Sequence, residues 1–434
     1  MPETDHPAEV AELLTLADQC VMCGLCLPHC PTYRLTAHEA ESPRGRIAIA
    51  RSLANGTLAP TPAGLAHLDH CLACLSCEPV CPSHVHYGRI LLLGRAALAS
   101  KRARPSLLQR LLRSPMALVA LARIAAALRA HRWLPRVARL LPEESLLRRI
   151  ATTLPKPPTR LWRPVTKSRG MKVRGRVALF RGCVASIYDS DTHAAARRVL
   201  EALGYEVIVP PGTLCCGALA LHAGDIAAAA KQAAKTLEAI NATRADSVLV
   251  SATGCFDSLR AMLADAGLDA RVVDVNEFLA HDEMLETLHF RPIELRATLH
   301  QPCTQRNVVG GDANVVSLLA RIRGLSVQQL PEQPKCCGAA GNYFLEHADF
   351  ADRLRDEKLD QAQNQLPDLL LTTNIGCRIH LQNGLNRREA DVAVMHPLTL
   401  LAQQLDDRDE ALRLAPSRTL MDKMPRTPVR ASGE

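Results

Sequence analysis

Two runs near the start of this 434-residue chain carry the residues most able to do chemistry. They are Cys20-Val-Met-Cys23-Gly-Leu-Cys26-Leu-Pro-His-Cys30-Pro31 and Cys71-Leu-Ala-Cys74-Leu-Ser-Cys77-Glu-Pro-Val-Cys81-Pro82, both spaced C-x2-C-x2-C-x3-C-P. Three thiolates at that spacing wrap one corner of an iron–sulfur cube, while the fourth, turned away by its proline, reaches a different cube. The two runs therefore complete each other. Cys20, Cys23 and Cys26 join Cys81 around one [4Fe-4S] cluster, and Cys71, Cys74 and Cys77 join Cys30 around the other. Tetrahedral zinc would leave the third cysteine and the repeat of the run unused. Disulfides fare no better, because cysteines this close in sequence rarely reach bridging geometry.

Eight of the 16 cysteines fall in these runs, and the other eight follow residue 182. The second eight repeat. Cys183 is answered by Cys303, Cys215-Cys216-Gly217 by Cys336-Cys337-Gly338, and Cys255 by Cys377, at offsets of 120, 121 and 122 residues. Four soft thiolates per half suit a further iron–sulfur cluster or zinc. Paired redox dithiols or inert core cysteines are the other readings. Gly217 and Gly338 let the chain turn tightly after the adjacent cysteines. His222, His300, His380 and His396 lie near these motifs, and His380, three residues after Cys377, stands where a C-x2-C partner would be, as a ligand or a neighbouring donor.

These residues need elements to hold them. Residues 1–100 read as a small helical ferredoxin-type domain, with Ser42 as N-cap and Pro43 as first helical residue of one helix and further helices at about 62–70 and 86–100. Residues 101–175 read as short basic amphipathic helices and a proline-rich linker, Leu154-Pro155-Lys156-Pro157-Pro158. From 176 the texture becomes strands alternating with helices, giving one cysteine-rich α/β domain over 176–290 and its duplicate over 291–415. Residues 416–434 read as a disordered tail. The fold class is thus α+β multidomain: a helical double-[4Fe-4S] ferredoxin-like domain, then two duplicated α/β cysteine-rich domains.

Charge narrows the function. The formal net charge is +8, yet 20 Lys and Arg against 2 Glu in residues 101–176 give that segment +18, which leaves the remainder at −10. A chain that is 3% aromatic, with no reading motif, lacks the stacking platforms of a nucleic-acid binder. The basic helices instead suit docking to a partner or to the rest of the chain, or peripheral contact with an anionic membrane. Arginines interrupt every apolar run, so no bilayer span is expected, and the acidic start points to the cytoplasm. No dinucleotide, P-loop or hydrolase motif is present. The chain carries wires without a substrate pocket, as an electron-transfer subunit would.

Taken together, the double ferredoxin runs, the Pro43-Arg44-Gly45-Arg46 element, the basic middle, Cys336-Cys337-Gly338-Ala-Ala-Gly341 and Asn374-Ile375-Gly376-Cys377-Arg-Ile-His380 resemble the iron–sulfur subunit family of bacterial glycolate oxidase (glycolate dehydrogenase), with two heterodisulfide-reductase-type cysteine-rich domains. The resemblance implies flavin-bearing partner subunits that oxidise glycolate to glyoxylate, while this chain passes electrons to a quinone or similar acceptor. The first eight cysteines would be cluster ligands and the later eight the family's cysteine-rich motif. Another 2-hydroxy acid such as D-lactate is the near alternative, and a thiol–disulfide reductase the more distant one. Heterodisulfide-reductase relatives often end each unit C-x2-C; here Ser258 and His380 stand at the last position.

Overall fold

The structure, a computed structural model, describes residues 7–98, 111, 114–130, 140, 142, 145, 148, 173–268, 271–331 and 336–406. The proline-rich linker, the tail from 416 and the basic helices other than Pro115–Ala130 lie outside the described residues.

The N-terminal part is helical. Pro7–Ala17, Pro43–Ala54 and Tyr87–Ala97 pack around Leu13, Ile47, Ala50, Ile90 and Leu93, and the two cysteine runs lie as loops against this core. Each run uses the left-handed backbone at the same two places. These are Met22 (φ 57°) and Gly24 (φ 86°) in the first, Ala73 (φ 49°) and Leu75 (φ 57°) in the second. Alternation of this kind turns successive amides towards one centre and makes an anion-binding concavity of the sort that holds iron–sulfur groups. Ser42 caps its helix as its type and place suggest, its Oγ accepting from Gly45 N at 3.0 Å.

Two four-stranded, all-parallel sheets follow. The first has β1 (Gly175–Phe180), β2 (Tyr205–Ile208), β3 (Ser247–Val250) and β4 (Arg271–Asp274), ordered β2-β1-β3-β4. The second has β5 (Leu295–His300), β6 (Leu325–Gln329), β7 (Leu369–Thr372) and β8 (Ala393–Met395), ordered β6-β5-β7-β8. The duplication in the sequence is therefore a duplication of topology. Strand β4 has no counterpart in the sequence reading, because Arg-Val-Val-Asp has only two apolar residues between charged ends.

One core runs through both units. Val199 and Leu200 of the helix Ser190–Ala202 and Leu398 and Leu401 of Pro397–Gln404 share it with Leu179, Leu249, Leu299 and Leu371. Arg378 of the second unit reaches Asp189 and Asp191 of the first at 2.5 and 2.8 Å, and the Thr192 and Thr399 hydroxyls meet at 3.1 Å. Arg95, 5% exposed, ties the ferredoxin part to the first unit by donating to the carbonyls of Leu68, Cys71 and His222. Arg34 and Arg353 tie it to the second, through Glu357 and the Leu35 carbonyl.

Both glycines after the paired cysteines are left-handed, Gly217 at φ 80° and Gly338 at φ 86°. They differ in room. A Cβ on Gly338 would come within 2.5 Å of the Ala351 carbonyl oxygen, whereas the nearest atom to one on Gly217 lies at 3.4 Å. Gly338→Ala should therefore cost about 3 kcal/mol of stability, combining backbone strain and overpacking, against about 1–2 kcal/mol for Gly217→Ala. Anaerobic denaturation of the two variants measures the difference, and equal losses would contradict it.

Candidate functional site

Every cysteine of the second set sits just past the C-terminal end of a strand, where parallel sheets gather their ligand-carrying loops. Cys183 follows β1, Cys215 and Cys216 follow β2, and Cys255 opens the helix Thr253–Asp265 after β3; Cys303, Cys336, Cys337 and Cys377 repeat this after β5, β6 and β7. None of the 16 cysteines is joined in a disulfide.

Two cavities receive the first set. One is lined by Cys20, Cys23, Cys26, Cys77 and Cys81; the other by Cys30, Cys71, Cys74 and Cys77. Cys81 thus comes to the first run and Cys30 to the second. Cys77 lines both cavities, so the two sites are neighbours. The donors suit the group: at least four soft sulfurs in each, left-handed backbone that aims amides inward, and Ala73 N at 3.5 Å from Cys71 Sγ. Burial pushes the Cys74 and Cys77 thiols well up, and neighbouring cysteines push them further. Cations at the centre would offset that cost of gathering thiolates. The residues fit a [4Fe-4S] cluster in each cavity.

A polar hub backs the second cavity. Arg46, 1% exposed, lies 3.9 Å from Cys30 Sγ and donates to Thr32 Oγ1, to the carbonyls of Glu41 and His67, and to the Glu41 carboxylate at 2.5 Å. The other Glu41 oxygen accepts from His67 Nδ1 at 2.6 Å and His70 Nδ1 at 2.8 Å. Burial alone would raise the Glu41 carboxyl, but the His70 hydrogen bond, the Arg46 charge and the His67 hydrogen bond outweigh it and hold the group down to about 2. Arg44 stands at the first cavity, donating to the Met22 carbonyl at 2.7 Å and pairing with Glu39 at 2.6 Å. The sequence offered the two arginines; nothing in it marked Glu41 as buried.

The second set forms two unequal groups. In the first unit, Cys183 and Cys215 sulfurs are 3.6 Å apart, and Cys216 hydrogen-bonds both Cys215 and Cys255. Hydrogen bonds from Cys183 and Cys216 hold the Cys215 thiol down, while theirs are pushed up. In the second unit Cys337 and Cys377 lie 2.9 Å apart, beyond bonding distance, and His300 brings a ring nitrogen within 4.8 Å of both sulfurs. Cys303 and Cys336 pair beside them. Cys74 and Cys303 pack against the same apolar cluster as Cys336, Cys337 and Cys377, so the second ferredoxin site abuts the second unit. Asn307 fastens that junction by donating to the Cys74 carbonyl at 2.7 Å.

The other histidines near the motifs are engaged elsewhere. His380 is buried, with Nε2 at 3.1 Å from the Ala351 carbonyl, and does not join the thiols, because its helix face turns towards the neighbouring helix Ala348–Asn364. His396 shares its ring between the Ser251 carbonyl and Leu398 N, and the His222 carbonyl accepts from Arg95. Among the described residues no helix is long and apolar enough to cross a membrane.

Comparison with known proteins adds sequence families to this geometry. The 4Fe-4S dicluster domain family matches residues 16–85, and the cysteine-rich domain family matches 177–260 and again 297–382. The chain is 32% identical over 430 residues to the glycolate oxidase iron–sulfur subunit of Escherichia coli (strain K12), covering 93% of this chain and 98% of that one. It is 29% identical over 426 residues to the probable glycolate oxidase iron–sulfur subunit of Bacillus subtilis (strain 168), at 88% and 93% coverage. Lactate utilization protein A of the same organism is 26% identical over 250 residues, all of that protein but 54% of this chain.

The Glu41 hub makes a testable demand on stability. Glu41→Gln leaves Arg46 buried without its counter-charge and should cost about 3–5 kcal/mol, whereas replacing the pair together, Glu41→Gln with Arg46→Met, should cost less than that. Anaerobic denaturation at neutral pH measures both. Because the folded carboxyl lies below its ordinary value of 4.5, this contribution is complete above 4.5 and is lost as pH falls through about 2.

Proposed function

The chain belongs to the family of glycolate oxidase iron–sulfur subunits, and from that premise we propose that its cysteines form a graded path for electrons leaving a flavin-bearing partner that oxidises glycolate. It is an electron-transfer subunit of an oxidoreductase complex with two [4Fe-4S] clusters. Those groups supply one-electron chemistry when bound. The ligands are Cys20, Cys23, Cys26 and Cys81 for one and Cys30, Cys71, Cys74 and Cys77 for the other. What carries this reading is the sharing of each cavity between the two runs.

The chain's own residues grade the path. At the outer end Cys23 is exposed and is flanked by Val21, Met22 and Leu25 at 67, 47 and 57% exposure, a surface suited to close approach by a redox partner. The second site is screened from water, with Tyr87 Oη at 3.3 Å from Cys71 Sγ and Arg46 beside Cys30. Beyond it, Cys303, Cys336, Cys337 and Cys377, and then Cys183, Cys215, Cys216 and Cys255, are read as further metal ligands, the soft donor sets of iron–sulfur sites. Cys255 touches the second unit's apolar cluster as well as its own, which supports continuity between the two groups. The final acceptor is a quinone or a similar carrier. The helix Pro115–Ala130, with Met116 and Ile124 exposed, is suited to peripheral contact at the cytoplasmic face of a membrane or to docking on a partner. Glycolate is preferred to D-lactate because the lactate utilization relative aligns with only about half of the chain.

The ligand assignment is tested by exchanging the fourth cysteines. Cys81→Ser should perturb the same EPR signal as Cys20→Ser, and Cys30→Ser the same one as Cys71→Ser, with about four irons lost from the roughly eight of two cubanes in each case. A Cys81→Ser variant that perturbs the signal of the Cys71 run would reverse the assignment.

A further inference from the structure

The two cysteine-rich units share one pattern, yet one side chain beside their cysteines differs in kind. At the end of β5, three residues before Cys303, stands His300; at the end of β1, three residues before Cys183, stands Phe180. His300 is 1% exposed and Phe180 2%. An imidazole nitrogen in the second unit lies within 4.8 Å of the Cys337 and Cys377 sulfurs, three buried ligand atoms of compatible softness. The ring is also held as a ligand histidine is held, since Nδ1 lies 3.0 Å from the Thr372 hydroxyl at the end of the neighbouring strand β7. Phe180 can offer neither contact.

We infer that His300 is a nitrogen ligand of the metal site in the second unit, which distinguishes that site from the all-thiolate site of the first. The inference rests on the reading of Cys303, Cys336, Cys337 and Cys377 as metal ligands. A neutral imidazole adds no negative charge, whereas a thiolate in its place would add one and lower the potential of the centre. Position gives this a consequence. The second unit is the one that abuts Cys74, through Cys303 and Cys336. An electron leaving the Cys30, Cys71, Cys74 and Cys77 site, which is oxidised in the step, therefore meets the His300 site first. His300 keeps that site easier to reduce than a thiolate in the same place would.

The test uses the full chain, purified anaerobically, with iron analysis, redox titration and pulsed EPR on protein carrying natural or ¹⁵N-labelled histidine. A histidine nitrogen coupling should be present in the parent, lost in His300→Ala and His300→Cys, and kept in His380→Ala. His300→Cys, which retains a ligand and so guards against simple misfolding, should keep the parental iron while the site abolished by Cys336→Ser titrates at a lower potential. A coupling that survives in both His300 variants, or a parental iron site without any such coupling, overturns the inference alone. Iron content and EPR signals unchanged by Cys336→Ser and Cys337→Ser overturn the reading of the cysteines and the inference with it.

Discussion

Thiolates repel one another, and this chain brings them together where water cannot screen them. Cys74, Cys77, Cys303, Cys336 and Cys337 are pushed up by burial, by hydrogen bonds among themselves and by one another's charge. A fold that gathers such groups is favoured by positive charge at their centres, as the iron of two [4Fe-4S] clusters supplies in the ferredoxin part, and by a rigid frame around them. The remaining architecture follows from that constraint. The left-handed residues of the two runs, the left-handed glycines after the paired cysteines, and the placement of the second set past the strand ends all bring sulfur to a centre without bringing side-chain bulk with it.

The frame has charge of its own. Arg46 and Arg95 are almost wholly buried, and between them they bond carbonyls from Glu41, His67, Leu68, Cys71 and His222. Each therefore ties carbonyls at helix ends to those of the loops beside the cysteines. Arg46 also needs an anion, and Glu41 provides it while holding two histidines. A buried ion pair adds little net stability, but a broken one leaves an uncompensated charge. The hub thus resists small displacement of Cys30 and Cys71, whose positions determine the second cavity.

Duplication supplied two similar frames that now do different work. The shared core and the Arg378 bridge to Asp189 and Asp191 hold the units in one relation. The second touches the ferredoxin runs by way of Cys74, which packs with Cys303 and accepts from Asn307. An electron path needs such asymmetry, because identical sites at identical distances would have no direction.

Much of this was legible in the residues. The spacing C-x2-C-x2-C-x3-C-P pairs Cys81 with the first run and Cys30 with the second because proline turns the fourth cysteine away, and offsets of 120 to 122 residues reveal the duplicated units. The apolar runs of β1, β3 and β7 were legible for the same reason: buried parallel strands read as continuous hydrophobic stretches. Three things came only with the tertiary structure. Strand β4 has only two apolar residues between charged ends, too few to read as a hydrophobic stretch. Glu41 looks like surface until Arg46, His67 and His70 converge on it from other elements. Spacing also singled out His380, three residues after Cys377, over His300, three residues before Cys303, yet His300 is the one whose ring reaches the Cys337 and Cys377 sulfurs. Local spacing determines what a loop can wrap; which distant side chain completes the site depends on how strand ends align across a sheet, and that is decided when β5 and β7 pair.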